Sequence, residues 1–314
     1  MIIDTHTHIY DKSRGMTHYV QGFYLRHAEA SGDWLVSSMD LAGVDKAFLI
    51  SFTPEDIACA LAGLDPKDFG KSLSEEYVVE IVAKYPGRFY WFPGHVDPNK
   101  DGYLEKAESY LERGATGFKL CTSFMGLYPD DPKLMKLYEL CSRKTVPAIV
   151  DYSFWYINDV ETMPMKMHPK NYAEFLKHVA NMASALPDVN FHIAHYGSPE
   201  DTVKLAETGD FTALAPFVEL MRSHDNLFAD TAALPFLETE EYPFPGTSRL
   251  IRFLIEEVGT DKMMYGTDWP YFCNGAYLTY RQGVNLIRQA DYLSAEEKDK
   301  VLGGNALRFL GERQ

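Results

Sequence analysis

Short apolar runs recur along the chain, and most are followed by a segment whose apolar residues fall at helical spacing. The runs are Ile2–His6, Lys46–Ser51, Phe89–His95, Thr116–Cys121, Val146–Asp151, Asn190–His195, Asn226–Asp230 and Lys262–Tyr265. Between them, Asp131–Arg143 places Leu134, Leu137, Tyr138 and Cys141 on one helical face. Ser72-Leu-Ser-Glu75 reads as a capping box ahead of Val78, Val79 and Ile81, and Ser294-Ala-Glu-Glu297 repeats that chemistry before the last helical region. Strands that are apolar throughout, and so buried on both faces, predict a parallel sheet when helices separate them. Eight such units predict an α/β fold that closes on itself. We therefore expect a (β/α)8 barrel of the TIM type, a single domain over residues 1–314 with long loops after strands one, five, seven and eight.

In such a barrel the chemistry sits where the strands end. The exits carry His6 and His8, Ser51, His95 and Asp97, Lys119 and Cys121, Asp151, His195, Asp230, and Asp268. That density of titrating and metal-binding groups points to an enzyme. His6 and His8 are two apart on a strand, so their side chains share a face and form half of a metal site. The last strand ends in a carboxylate, Asp268, and a closed barrel makes its first and last strands neighbours. His192, three residues before His195, is expected to face the other way and to be a core histidine.

A formal net charge of -15 argues against nucleic acid and against anionic membrane surfaces, both of which recruit basic patches. The partner expected is a small-molecule substrate; assembly into a homo-oligomer stays open. Four widely spaced cysteines do not read as a disulfide framework or a zinc ribbon. With a first strand at Ile2 and no apolar stretch of ~18 residues, a soluble cytoplasmic protein is the expectation.

The motifs Asp4-Thr-His6-Thr-His8, Gly117-Phe-Lys119-Leu, Leu127-Tyr-Pro-Asp-Asp-Pro, His195-Tyr-Gly197, Gly266-Thr-Asp268-Trp-Pro270 and Val301-Leu-Gly-Gly-Asn305-Ala306 lie in order along nearly the whole chain. Together they resemble the amidohydrolase superfamily, in the amidohydrolase-related branch that holds aminocarboxymuconate-semialdehyde decarboxylase-like proteins and pyrone-dicarboxylate lactonase-like proteins. The resemblance implies one divalent metal ion, usually Zn²⁺ with Mn²⁺ as an alternative, on His6, His8 and Asp268, with His195 adding to the set. In the lactonase branch the same pair binds substrate without metal. The fifth-strand histidine of the family is replaced here by Asp151, and the histidine two places after Lys119 by Cys121. Asp151 could be an oxygen ligand, an orienting carboxylate or a structural one.

Lys119 is read as bound to neighbouring carboxylates or to an anionic substrate. Trp155, Trp269 and other loop aromatics could wall the pocket, and Arg14 could clamp a carboxylate, although a surface arginine is the more common outcome. The activity expected is hydrolysis of a lactone, ester or amide of a small organic acid. In that scheme Asp268 moves the water's proton, and His195 is a ligand or an oxyanion stabiliser. Non-oxidative decarboxylation of an aromatic or unsaturated acid is the alternative.

Overall fold

The computed structural model describes residues 1–15, 30–52, 65–94, 96–152, 172–197, 205, 207–234, 240–270 and 279–312. Eight strands run parallel: β1 Ile3–Thr7, β2 Lys46–Ser51, β3 Phe89–Pro93, β4 Phe118–Cys121, β5 Ala148–Asp151, β6 Phe191–Ile193, β7 Leu227–Asp230 and β8 Met263–Met264. They pair in sequence order within the groups β1–β3 and β4–β8. Two seams join the groups. The Thr116 N–H donates to Trp91 O (2.7 Å) beside β3 and β4, and the Thr5 N–H donates to Tyr265 O (2.9 Å) where β1 meets the chain leaving β8. A further parallel bridge, Thr7 with Trp269, completes that second seam. The expected barrel is the fold observed.

Helices cover the outside: α1 Gly32–Ala42, α2 Glu75–Lys84, α3 Tyr103–Glu112, α4 Pro132–Lys144, α5 Tyr172–Ala185, α6 Ala215–Ser223, α7 Pro245–Val258 and α8 Tyr280–Arg288. The face predicted for α4 is buried: Leu134, Leu137, Tyr138 and Cys141. Ser294 and Glu297 do form a capping box. The other cap lies two residues later than expected, because Ser74 accepts from Tyr77 N–H while Ser72 donates to Phe69 O (2.5 Å).

Alternation divides the apolar residues into two cores. Ala47, Leu49, Phe118, Leu120, Ala148 and Val150 pack outward against the helices. Ile3, Phe48, Ile50, Phe92, Ile149, Phe228 and Met264 fill the barrel, which Phe309 of the terminal helix Asn305–Phe309 closes from below. Its ring lies 5.8 Å from Phe48, 5.6 Å from Phe228 and 5.7 Å from His192. The interior is therefore apolar at the floor and polar only at the strand exits. No helix among the described residues is long and apolar enough to cross a membrane.

Candidate active site

Strand β1 carries one extra residue against β2: Asp4 pairs with Ala47, but Thr7 pairs with Leu49. This bulge changes which way the side chains face. Strict alternation would put Asp4 and His6 on one side. Instead Asp4 reaches outward to Tyr280 of α8, while His6 turns into the barrel mouth with His8, ring centroids 5.2 Å apart. His6 is fully buried, and so is the β8 exit that it faces. Gly266 makes that contact feasible, since a Cβ there would lie 3.2 Å from His6 Cβ and 3.3 Å from Asp230 Oδ2.

Three imidazoles are anchored through Nδ1. His6 Nδ1 lies 2.8 Å from Asp230 Oδ2, His8 Nδ1 3.0 Å from Ile50 O, and His195 Nδ1 3.2 Å from Ala232 O. A carbonyl or an ionised carboxylate can only accept, so each Nδ1 carries a proton, and in a neutral ring Nε2 keeps its lone pair. Asp230 is ionised: burial opposes its charge, yet the imidazoles of His192 and His6 hold its carboxyl well below the usual carboxylate range. Burial keeps His6 and His8 neutral, lowering His6 to about 3 and His8 in the same direction.

Asp268 stands opposite these lone pairs. Its Oδ1 lies 3.2 Å from His8 Nε2 and 3.9 Å from His6 Nε2. Burial works against its charge, but hydrogen bonding to His8 and the nearby His6 and His195 bring it down to about 2. The Asp268 carboxylate and the two Nε2 atoms thus converge in one buried space. Deeper in the mouth, Lys119 Nζ lies 2.8 Å from Asp151 Oδ2 and 3.2 Å from His6 Nε2, and His195 Nε2 lies 3.7 Å from the same Asp151 oxygen. Burial disfavours the Lys119 charge, but Asp151 raises its pKa above the ordinary 10.5.

Asp230 and Asp268 are ionised and Asp151 pairs with the Lys119 ammonium, so among the described residues carboxylates crowd a cluster in which each residue is at most 3% exposed. Buried charge of that kind calls for a counter-ion. Among the described residues three triads have donor atoms within 4.8 Å of one another: His6, His8 and Asp268; His6, Asp151 and His195; and His6, His192 and Asp230, the last already joined by its own short contacts. The Asp230–His6 contact is the carboxylate–histidine support that metal-bound imidazoles use. This donor set fits a divalent ion.

The structure thus brings His6, His8, Lys119, Asp151, His195 and Asp268 together. Arg14 does not join them. It is ion-paired with Asp11 (3.1 Å) and Glu80 (2.8 Å) and lies over the Tyr77 ring, so it fastens α2 to the first loop instead of clamping a substrate. Trp269 is fully buried, and its carbonyl accepts from His8 N–H (2.6 Å), which holds the β8 exit against β1. Trp155 and His95 lie outside the described residues.

His192 is the buried core histidine expected, but the side it faces needs correction. Its Nε2 lies 2.9 Å from Asp230 Oδ2, on the inner side with the other histidines. Strand β6 stops at Ile193, and His195 has a left-handed backbone (φ 54°), so counting by twos does not relate the two residues. His195 N–H donates to Asp230 Oδ1 (2.8 Å). Asp230 is therefore the hub that the sequence reading passed over, although its place at a strand exit was visible.

A closed barrel of parallel strands whose exits converge on imidazoles and carboxylates is the architecture of an enzyme active site. The Amidohydrolase family model matches residues 3–311, and the chain belongs to the amidohydrolase family of enzymes. A 2-amino-3-carboxymuconate-6-semialdehyde decarboxylase of Dictyostelium discoideum is 25% identical over 262 residues, covering 79% of this chain and 67% of its own. Two solved structures share the fold. A probable 2-pyrone-4,6-dicarboxylic acid hydrolase of Acinetobacter baumannii with citric acid bound has a TM-score of 0.67 at 16% identity, covering 99% of both chains. An amidohydrolase of Burkholderia multivorans with bound zinc has a TM-score of 0.67 at 17% identity, covering 100% of both.

Proposed function

We propose that this enzyme is a metal-dependent hydrolase that cleaves a lactone, ester or amide of a small organic acid, working on a single divalent ion, Zn²⁺ or Mn²⁺. One observation carries the reading: Asp268 Oδ1 faces the Nε2 lone pairs of His8 and His6 at 3.2 and 3.9 Å. His6, His8 and Asp268 would hold the ion, with His195 and Asp151 as the adjoining donors. Such an ion polarises a carbonyl and makes water acidic near neutral pH. The ionised carboxylate of Asp268 takes the proton of the attacking water and returns it to the leaving group. His195 is anchored through Nδ1 to Ala232 O, with Nε2 3.7 Å from Asp151 Oδ2, a placement that suits a ligand in the neutral ring and an oxyanion donor in the protonated one. The substrate is the one partner this reading needs.

Decarboxylation of an aromatic or unsaturated acid is the second reading, favoured by the Dictyostelium relative. It needs a proton donor to carbon, whereas Asp268 is ionised. Parallel assays of lactones and esters against hydroxybenzoates separate the two. Hydrolysis without CO₂ release is expected, and CO₂ release without hydrolysis would reverse the assignment. Asp268→Asn should lower kcat/KM by about 10² to 10⁴ with the fold intact. An unimpaired variant would remove the proposed proton carrier.

A further inference from the structure

His6 is common to all three candidate ligand triads, and two of them, His6–His8–Asp268 and His6–Asp151–His195, lie where Asp268 and Asp151 meet it. One of them is already engaged by a cation of the protein's own. Lys119 Nζ donates toward His6 Nε2 at 3.2 Å and lies 2.8 Å from Asp151 Oδ2. The lysine is fully buried, and it stands on β4 with its register partner, Ile149, on β5. Its stem is therefore fixed by the barrel wall. A divalent ion drawing on His6 and Asp151 would meet the ammonium within the same few ångströms, and two positive centres that close in a dry site repel strongly.

We propose that the Lys119 ammonium is a resident cation that competes with the divalent ion for His6 Nε2 and Asp151 Oδ2. It fills the His6–Asp151–His195 position, so the ion is confined to the His6–His8–Asp268 position and is held weakly enough to exchange. In this arrangement Asp151 is the partner of the lysine in the natural enzyme and becomes a metal ligand only when the ammonium is removed. The departure from a histidine at the fifth strand then has a physical sense, because a carboxylate can pair with an ammonium, which a neutral imidazole does poorly. The inference rests on the metal reading above.

The test is Mn²⁺ and Zn²⁺ affinity of the full chain, stripped of metal and titrated against a chromophoric chelator. Lys119→Met and Lys119→Gln are expected to bind at least tenfold tighter than wild type. Lys119→Arg, which keeps the charge, should bind no tighter, and adding Asp151→Asn to Lys119→Met should cancel the gain. Binding by wild type with no gain in the uncharged variants overturns the competition and leaves the metal reading standing. No binding by wild type but binding by Lys119→Met does the reverse. Circular dichroism monitors folding, and Lys119→Gln keeps a donor for Asp151 should the methionine variant unfold. Failure of both to fold would assign the ammonium to structure alone and overturn the proposal too.

Discussion

Asp4 and Asp268 are buried carboxylates on opposite sides of one seam, where β1 meets the chain leaving β8, and they are held in opposite states. Asp4 accepts from four donors: the N–H groups of His6 and Thr267 at 3.0 Å each, Thr267 Oγ1 at 2.6 Å and the Tyr280 hydroxyl at 2.5 Å. Burial outweighs them and raises Asp4 to about 7. Asp268 is buried as well, yet the hydrogen bond to His8 and the nearby His6 and His195 bring it down to about 2. Burial raises a carboxylate and hydrogen bonds lower it, and the balance differs on the two sides of the seam. The outer carboxylate is thus a latch that ties β1 to the Thr267–Asp268 turn and to α8. The inner one is the group we propose for the chemistry.

After the loss expected of Asp268→Asn, the largest change on the inner side comes at Asp230. Asparagine there would either turn its Nδ2 donor toward His6 Nδ1, which disfavours the tautomer with the Nε2 lone pair, or keep an uncharged Oδ1 there and set Nδ2 against the His195 N–H. Either way the support of the His6 ring is weakened. Asp230→Asn should weaken metal binding about 10- to 100-fold, the range found when such supporting carboxylates are lost. Metal titration together with kcat/KM measures this. An unchanged affinity would show that His6 does not depend on its anchor, and the inner cluster would lose its hub.

Next in size is the pH dependence of the metal-free protein, where the two sides of the seam oppose each other. His6 is lowered from 6.5 to about 3, so its contribution is fully present above 6.5 and is lost as pH falls toward 3. His8 moves in the same direction. Asp4 is raised from 3.8 to about 7, so its contribution is full below 3.8 and is lost as pH rises through 7. Each group changes stability by up to about 1.4 kcal/mol per pH unit inside its window. Denaturant unfolding of wild type should therefore vary gently between these limits. Asp4→Asn should be less stable than wild type at low pH, and that deficit should shrink as pH rises from about 4 to 7. A constant deficit would mean that Asp4 stays ionised throughout, and the contrast across the seam would disappear.

How far these features could be read from the chain follows from the same seam. Repeated apolar runs predict the strands because each is buried on both faces, and the barrel follows from their number and order. His6, His8 and Asp268 are legible because closure makes the first and last strands neighbours. The bulge in β1 is not legible, since nothing in Asp4-Thr-His6 marks the residue that will be left unpaired. Nor is the left-handed turn at His195, and from it came the wrong face for His192. Arg14 was misplaced for a simpler reason: its partners Glu80 and Tyr77 belong to α2, over sixty residues away, and only the fold brings them together.

The smallest effect expected is that of Tyr280→Phe, and it tests whether the two sides of the seam are separable. Phenylalanine keeps the ring packed beneath α8 but removes one of the four donors to Asp4. A single hydrogen bond of this kind contributes about 1 kcal/mol net, so unfolding should ease by that amount and the melting temperature should drop by a few degrees. With one donor fewer, the neutral form of Asp4 gains further, and the stability it loses with rising pH should be lost at a higher pH than in wild type. Turnover and metal affinity should stay within about twofold, because the N–H groups of His6 and Thr267 still grip Asp4 and keep the turn that carries Asp268 in place. A tenfold fall in metal affinity would instead show that the latch positions Asp268. Outer and inner carboxylates would then act as one device.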